Sequence, residues 1–273
     1  MAGWRYSGLR VIELAPGESR QLSTGTREMA VVPLSGSCQV ECDGLRFDLA
    51  GRLNVFSAVS DFAYLPIDAG ASLGSESGGR FALASAEATR RLEPAYGPAG
   101  DVPIEIRGAG DATRQLNNFL APEAFPADKL VVLEVLTPAG NWSNYPPHKH
   151  DVQRDGEAIL EEIYYYEVGA RRPDGTHAMG EGCAFHALYR PDGTIDMCVE
   201  VRHGDVLVIP HGYHGPTMTA PGYDLYYLCV LAGPGAERTT ASADDPLRRW
   251  VRDSWPAEEP DPRLPFAAGR KVQ

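Results

Sequence analysis

The chain has 273 residues, enough for one large or two ordinary domains with a proper core. Its hydrophobic content of 43% is that of a globular protein, and its net charge of −12 argues against nucleic acid or an anionic membrane as partner, since both need a basic face. A small anionic substrate is not excluded, because one local cation can hold a carboxylate inside an acidic protein. The N-terminal MAGWRYSGLRVIEL lacks a basic segment followed by an apolar run. No apolar run approaches the roughly 20 residues that span a bilayer. A soluble, cytoplasmic protein is expected.

In chain order, short apolar or alternating runs are separated by turn residues. The first half carries MAVVPL, CQVECDGLRFDL, FAYLPI and RFALASA. Then come KLVVLEVLTP, EEIYYYEV, CAFHALYR, MCVEVRHG, DVLVIP and DLYYLCVLAG. These runs are strand-length, rich in Val, Ile, Tyr and Phe, and bounded by Gly and Pro. YRPDGTID at 189–196 predicts a hairpin. Residues 110–120 read as a short helix or an extended linker, and 245–250 as a terminal helical turn. Many short strands with regular turns imply an all-β sandwich or barrel. The five cysteines form no CxxC pair and are expected to be buried, reduced thiols; Cys38 and Cys42 share a strand face.

A weak internal repeat divides the chain. Glu28, MAVVPLS, Gly36, a strand ending at Pro66, Gly70 and RFALASA recur in order as Glu162, IYYYEV, Gly169, a strand ending at Pro210, Gly212 and DLYYLCVLAG. The simplest account is two copies of one β-barrel. The expected domains are residues 1–110, a barrel without a metal site, and 111–273, a metal-binding barrel with a short C-terminal extension. All seven histidines (148, 150, 177, 186, 203, 211 and 214) lie in the second half. The first half is therefore expected to be structural or to serve assembly, in keeping with a homo-oligomer.

In GNWSNYPPHKHD, His148 and His150 stand at i and i+2, on one face of an extended segment, and Pro146 and Pro147 keep the approach extended. Glu162 opens a later strand and His214 follows VLVIP. Three imidazoles and a carboxylate converging in a small barrel suit Zn²⁺, Mn²⁺, Fe²⁺ or Ni²⁺. Their order resembles the two cupin motifs. Gly140, His148, His150, Glu162 and Gly169 follow the first, although eleven residues separate His150 from Glu162; Gly204, Pro210, Gly212 and His214 follow the second. The resemblance implies two tandem cupin barrels of double-stranded β-helix, jelly-roll-like form. Glu161 and Glu162 alternate faces, so only one reaches a metal. Tyr164 and Tyr166 share the Glu162 face; Tyr165 and Lys149 point away. His177 and His186 fall in turn-rich sequence, His203 is expected at a solvated strand end, and His211 as a pocket residue.

Longer strings go further. NWSNYPPHKHD, EEIYYYEV, GDVLVIPHGYHG, APGYDLYYLCVLAGP, GDATRQLNNFL and DDPLRRW resemble the 5-deoxy-glucuronate isomerase family of myo-inositol catabolism over nearly the whole chain. That resemblance implies His148, His150, Glu162 and His214 as metal ligands. It also implies an aldose–ketose isomerisation of 5-deoxy-D-glucuronate to 5-dehydro-2-deoxy-D-gluconate. The chain departs from the family between Tyr166 and Phe185, at His186 and Ala187 where Gln-Arg is typical, and at Cys229 where Asn is typical. Such chemistry needs a base at carbon; Glu161, Tyr164, Tyr166, Tyr213 or solvent activated at the metal are the candidates. It also needs a cation for the carboxylate, from among Arg114, Arg171, Arg172, Arg190 and Arg202. The alternatives are a hexosulose-uronate isomerase, an Fe(II) dioxygenase, or a non-catalytic sugar-binding cupin. Each takes a small sugar acid as partner, with no nucleic acid and no membrane.

Overall fold

The structure, a computed structural model, describes residues 4–266; residues 1–3 and 267–273 of the two expected domains lie outside that range. Among the described residues the chain is almost all β, with helix confined to three short 3-10 turns. No helix is long and apolar enough to cross a membrane. Two compact units form. The first takes the chain up to Pro103 with residues 118–133 and 230–239; the second takes 104–117, 134–229 and the chain from Thr240.

The first unit is organised on the 16-residue strand Arg27–Cys42. One half of it pairs with Gly79–Glu87 and Phe62–Leu65, the other with Leu45–Arg52 and Gly70–Ser75. The register shifts at Pro33/Ser35 and again at Gly36/Cys38. Pro33 has no N–H to give a ladder, and a bulge is where a sheet tolerates that. Gly36 has φ +80°, and a Cβ there would lie 2.3 Å from the Gly78 carbonyl oxygen, so the strand bends where only glycine fits. The bend wraps the strand around a core of Val31, Val40, Leu65, Leu73 and Phe81. Each such side chain contributes about 1.5–3 kcal/mol on burial.

Glu28, the counterpart of Glu162 in the repeat, is fully buried here. Its carboxylate accepts from the backbone N–H groups of Asp128, Lys129 and Leu130 and from the Tyr64 hydroxyl. In the first unit this carboxylate pins a chain segment. Glu28→Ala would leave three N–H groups without this acceptor, those of Asp128 and Leu130 buried. We expect a loss of about 3 kcal/mol or more in urea unfolding; a loss below about 1 kcal/mol would contradict this role.

Most of the second unit lies in two further sheets. One contains His177–Met179, Glu161–Arg171, Tyr223–Ala232, Val131–Thr137, Arg114–Asn117 and Ile104–Arg107 in that order, with Val206–Ile209 beside Glu161–Arg171. The other contains Asp196–Val201, Ala184–Tyr189, Tyr213–Thr219, His148–Lys149 and Ala243–Asp244, with Trp142–Ser143 beside Tyr213–Thr219. Inward side chains of the two sheets meet, as the Tyr164 and His186 rings do at 5.5 Å. YRPDGTID forms the expected hairpin, closing with Tyr189 opposite Asp196. Residues 110–120 are extended apart from a turn at Gly110–Ala112, and the terminal turns fall slightly later than expected, at Arg249–Asp253 and Trp255–Ala257. Cys38, Cys42 and Cys229 are buried thiols, but Cys183 is only half-buried and Cys198 is exposed, the latter because it lies on the outward face of the edge strand Asp196–Val201.

Candidate metal centre

His148 lies directly opposite His214 in the second sheet, so the ladder itself brings these rings together. Their Nε2 atoms are 3.1 Å apart. Gly215 next to His214 has φ +103°, and a Cβ there would meet the Asn144 carbonyl oxygen at 2.1 Å. That close approach lets residue 144 cross beside the histidine strand. Glu162 enters from the first sheet; its Oε2 is 2.8 Å from His150 Nε2 and 3.0 Å from His214 Nε2. The donor atoms of His148, Glu162 and His214 all lie within 4.8 Å of one another. The four side chains that the motif resemblance implies as ligands therefore converge. His148 is half-buried and the other three are buried, which leaves an approach on the His148 side.

His150 Nδ1 is 2.9 Å from the Leu160 carbonyl oxygen. A carbonyl only accepts, so Nδ1 carries hydrogen and Nε2 is the nitrogen turned toward the Glu162 carboxylate; burial alone would lower the His150 pKa, but the hydrogen bond and charge of Glu162 raise it. His148 and His214 likewise aim nitrogens at each other. Lone pairs gathered this closely need a proton or a metal ion between them, and three imidazole nitrogens with one carboxylate oxygen are a transition-metal donor set. The residues present fit a divalent ion. Burial alone would raise the Glu162 carboxyl, yet hydrogen bonds and charge from His150 and His214 hold it well below the usual carboxylate range. Burial, with His214 alongside, pushes His148 well below the ordinary imidazole value, and burial also lowers His214. Carboxylate ionised and these imidazoles neutral is the protonation a metal needs.

The eleven residues between His150 and Glu162 form a loop folded around Glu157, whose side chain is fully buried. Glu157 accepts from Lys149 Nζ at 2.6 Å, from Arg154 Nε at 2.8 Å, and from the backbone N–H groups of Asp151 and Val152. Asp151 bonds Lys149 as well and accepts from the Gly212 N–H, tying the loop to the turn before His214. Lys149 is thus neutralised on the side away from the cluster.

Phenols line the interior beside the cluster. The Tyr164 ring is 6.1 Å from that of His214, and its hydroxyl accepts from Asn144 Nδ2 at 3.1 Å. Tyr227 donates to Asn144 Oδ1 at 3.2 Å and touches the Ser143 hydroxyl. Tyr166 meets His186 Nδ1 at 2.9 Å, and Thr217 Oγ1 meets the same nitrogen at 2.8 Å. Burial pushes Tyr164 and Tyr166 well above the ordinary phenol value, so both stay protonated. Cys229 hydrogen-bonds Glu162, and burial with that charge keeps it a thiol. Tyr165 faces away, onto Glu167.

Glu161 is half-buried on the alternate face from Glu162. Tyr213 packs on Tyr189 at 5.7 Å under the Lys149 ammonium, outside the cluster formed by its neighbour His214. His211 is exposed in a surface cleft with Lys149 and Arg190; His203 is half-buried; His177 pairs with Asp224 at 2.7 Å. His186 is the residue that sequence reasoning set aside and the fold places inside, fully buried, with no protein partner at Nε2. Alternation in AFHALY, which turns Ala184, His186 and Leu188 inward, is the signal that could have found it. Burial lowers its pKa to about 3. The sign follows: the unfolded chain takes up a proton near pH 6.5 that the folded one refuses until about pH 3. His186 therefore destabilises the fold progressively as pH falls through that window. His186→Leu is expected to flatten the acid side of a urea-unfolding profile of metal-stripped protein, and an unchanged slope would contradict this.

A profile of the KduI/IolB family matches residues 1–251. The chain belongs to the KduI/IolB family. Relatives named 5-deoxy-glucuronate isomerase include that of Geobacillus kaustophilus, 37% identical across 92% of this chain and 88% of the relative. The one from Halalkalibacterium halodurans is 32% identical across 92% and 89%. Among solved structures, an IolB-like protein from Salmonella typhimurium superposes with TM-score 0.84 at 33% identity, covering 92% of each chain. Oxalate decarboxylase from Lactobacillus farciminis superposes with TM-score 0.61 at 14% identity, covering 88% of this chain and 79% of its own. That last likeness concerns the fold alone and agrees with the cupin barrels expected from the motifs of this KduI/IolB chain.

Proposed function

We propose that this chain is a cytoplasmic 5-deoxy-glucuronate isomerase that converts the aldose acid to 5-dehydro-2-deoxy-D-gluconate with a divalent metal. Its ligands are His148, His150, Glu162 and His214, and the first unit serves as scaffold. The observation that carries this reading is the convergence of three imidazoles on an ionised carboxylate, beside phenols and a thiol that stay protonated. The family supplies the substrate.

The reaction moves a proton between adjacent carbons and another between their oxygens. A bound divalent ion supplies Lewis acidity to a carbonyl and its neighbouring hydroxyl, where enediolate charge develops. Glu162, held ionised and fully engaged, is a ligand and not the base. Tyr164 accepts from Asn144, so its own proton is free to point at a substrate oxygen. Tyr166 and Thr217 fix His186 through Nδ1, leaving its Nε2 without a protein partner. Tyr164, Tyr166 and His186 are the interior groups able to hold the moving proton between oxygens. Glu161 and Tyr213 stand outside this set and take no chemical role in it.

Metal-replete protein incubated with 5-deoxy-D-glucuronate in the absence of O₂ is expected to accumulate the ketose. No turnover under those conditions would refute the reading, and turnover only with O₂ would favour a dioxygenase.

A further inference from the structure

We propose that Arg114 anchors the substrate carboxylate, fixing the far end of the sugar acid while its aldehyde end reaches the His148–His150–Glu162–His214 cluster. This rests on the isomerase reading above. A sugar acid bound in a protein interior needs a cation, and the fold leaves few. Lys149 is held by Asp151 and Glu157. Arg172, Arg190 and Arg202 pair with Glu181, Asp192 and Glu200 at the surface. Arg171 is exposed at the end of its strand.

Arg114 differs from all of them. It is 4% exposed, and its one hydrogen bond in the protein runs from Nη1 to the Ala112 carbonyl oxygen at 3.2 Å. Among the described residues no carboxylate forms an ion pair with it; the charge of Glu105, which pairs with Arg107, reaches it only through space. Its Nε and remaining Nη have no protein partner, yet neither is fully sealed from solvent. A guanidinium has five N–H donors in a planar fork that matches a carboxylate. Burying one unpaired is costly, and an incoming carboxylate removes that cost by pairing with it.

Its placement agrees. On the strand Arg114–Asn117, Gln115 bonds Asn117, and Asn117 bonds Glu134, so these share one face and Arg114 lies on the other with Leu116. On that side its charge is felt by Tyr227 and by His148. Tyr227 in turn contacts Ser143 and Asn144, and Asn144 contacts Tyr164. The Tyr164 ring lies 6.1 Å from that of His214, so polar groups line the interior between the field of the arginine and the histidine cluster. Burial lowers the guanidinium pKa to about 10, which leaves it a cation at neutral pH.

The test compares wild type, Arg114→Gln and Arg114→Lys, each with its metal content measured. With 5-deoxy-D-glucuronate, Arg114→Gln is expected to raise KM about 50-fold with a smaller change in kcat and unchanged metal content; Arg114→Lys should recover part of the loss. Without ligand, Arg114→Gln should melt no lower than wild type, because the unpaired buried charge is gone; a merely structural arginine would lower the melting temperature and leave KM alone. Direct binding separates this inference from the isomerase reading. Wild type should bind D-glucuronate more tightly than D-glucose by calorimetry, and the glutamine variant should lose that preference, whether or not turnover is seen. Should neither variant fold, the wild-type preference alone decides. A folded Arg114→Gln protein with wild-type KM or an intact preference for glucuronate, or a wild type with no preference, would overturn the assignment.

Discussion

His214→Ala is expected to strip most of the bound metal and to lower turnover by roughly a thousandfold, the equivalent of about 4 kcal/mol of transition-state stabilisation. The size follows from position. His214 Nε2 touches both Glu162 and His148, so its removal takes one donor and loosens two others. The site also loses the hydrogen bond that helps hold Glu162 ionised. Metal analysis of the purified variant against wild type checks the first effect, and steady-state turnover with added metal checks the second. A His214→Ala protein with full metal occupancy and near-normal rate would show that the cluster is not the working site.

Glu157→Ala should have the largest effect on stability, about 3–5 kcal/mol, with a further 10- to 100-fold loss of metal affinity. Glu157 is the buried counter-charge of Lys149, itself only 14% exposed in its side chain. Removing it leaves a mostly buried ammonium held by Asp151 alone and frees two backbone N–H groups. The loop it organises also delivers the Leu160 carbonyl that orients His150. Urea unfolding and a metal titration of the same variant read the two effects separately. Glu157→Gln, which keeps the acceptor oxygen but not the charge, should fall between. If Glu157→Ala unfolds like wild type, the loop is not held as described.

Much of this was legible in the sequence, for physical reasons that can be named. Strand alternation placed His148 and His150 on one face, let only one of Glu161 and Glu162 reach a metal and turned Lys149 outward, because a period of two is fixed by backbone geometry; the cupin motif then chose Glu162. The turn chemistry of YRPDGTID specified its hairpin locally. What escaped was set by tertiary context. His186 sits among turn residues, and its burial depends on which sheet AFHALY joins. Arg114 belongs to a four-residue strand buried on both faces, which carries no amphipathic signal. Glu157 lies in an insertion that matches no motif, and its partners gather only when the loop closes. Glu28 could be aligned with Glu162, yet nothing nearby in sequence announces that its acceptors would serve the backbone 100 residues later.

The most direct test of the central claim is metal reconstitution. Chelator-stripped protein is titrated with Zn²⁺, Mn²⁺, Fe²⁺ or Ni²⁺, and the conversion of 5-deoxy-D-glucuronate to its ketose is followed at each step. Stripped protein is expected to show no turnover, and activity should rise with metal and saturate near about one ion per chain, as a single ligand cluster requires. Undiminished turnover by protein shown to be free of metal would contradict it.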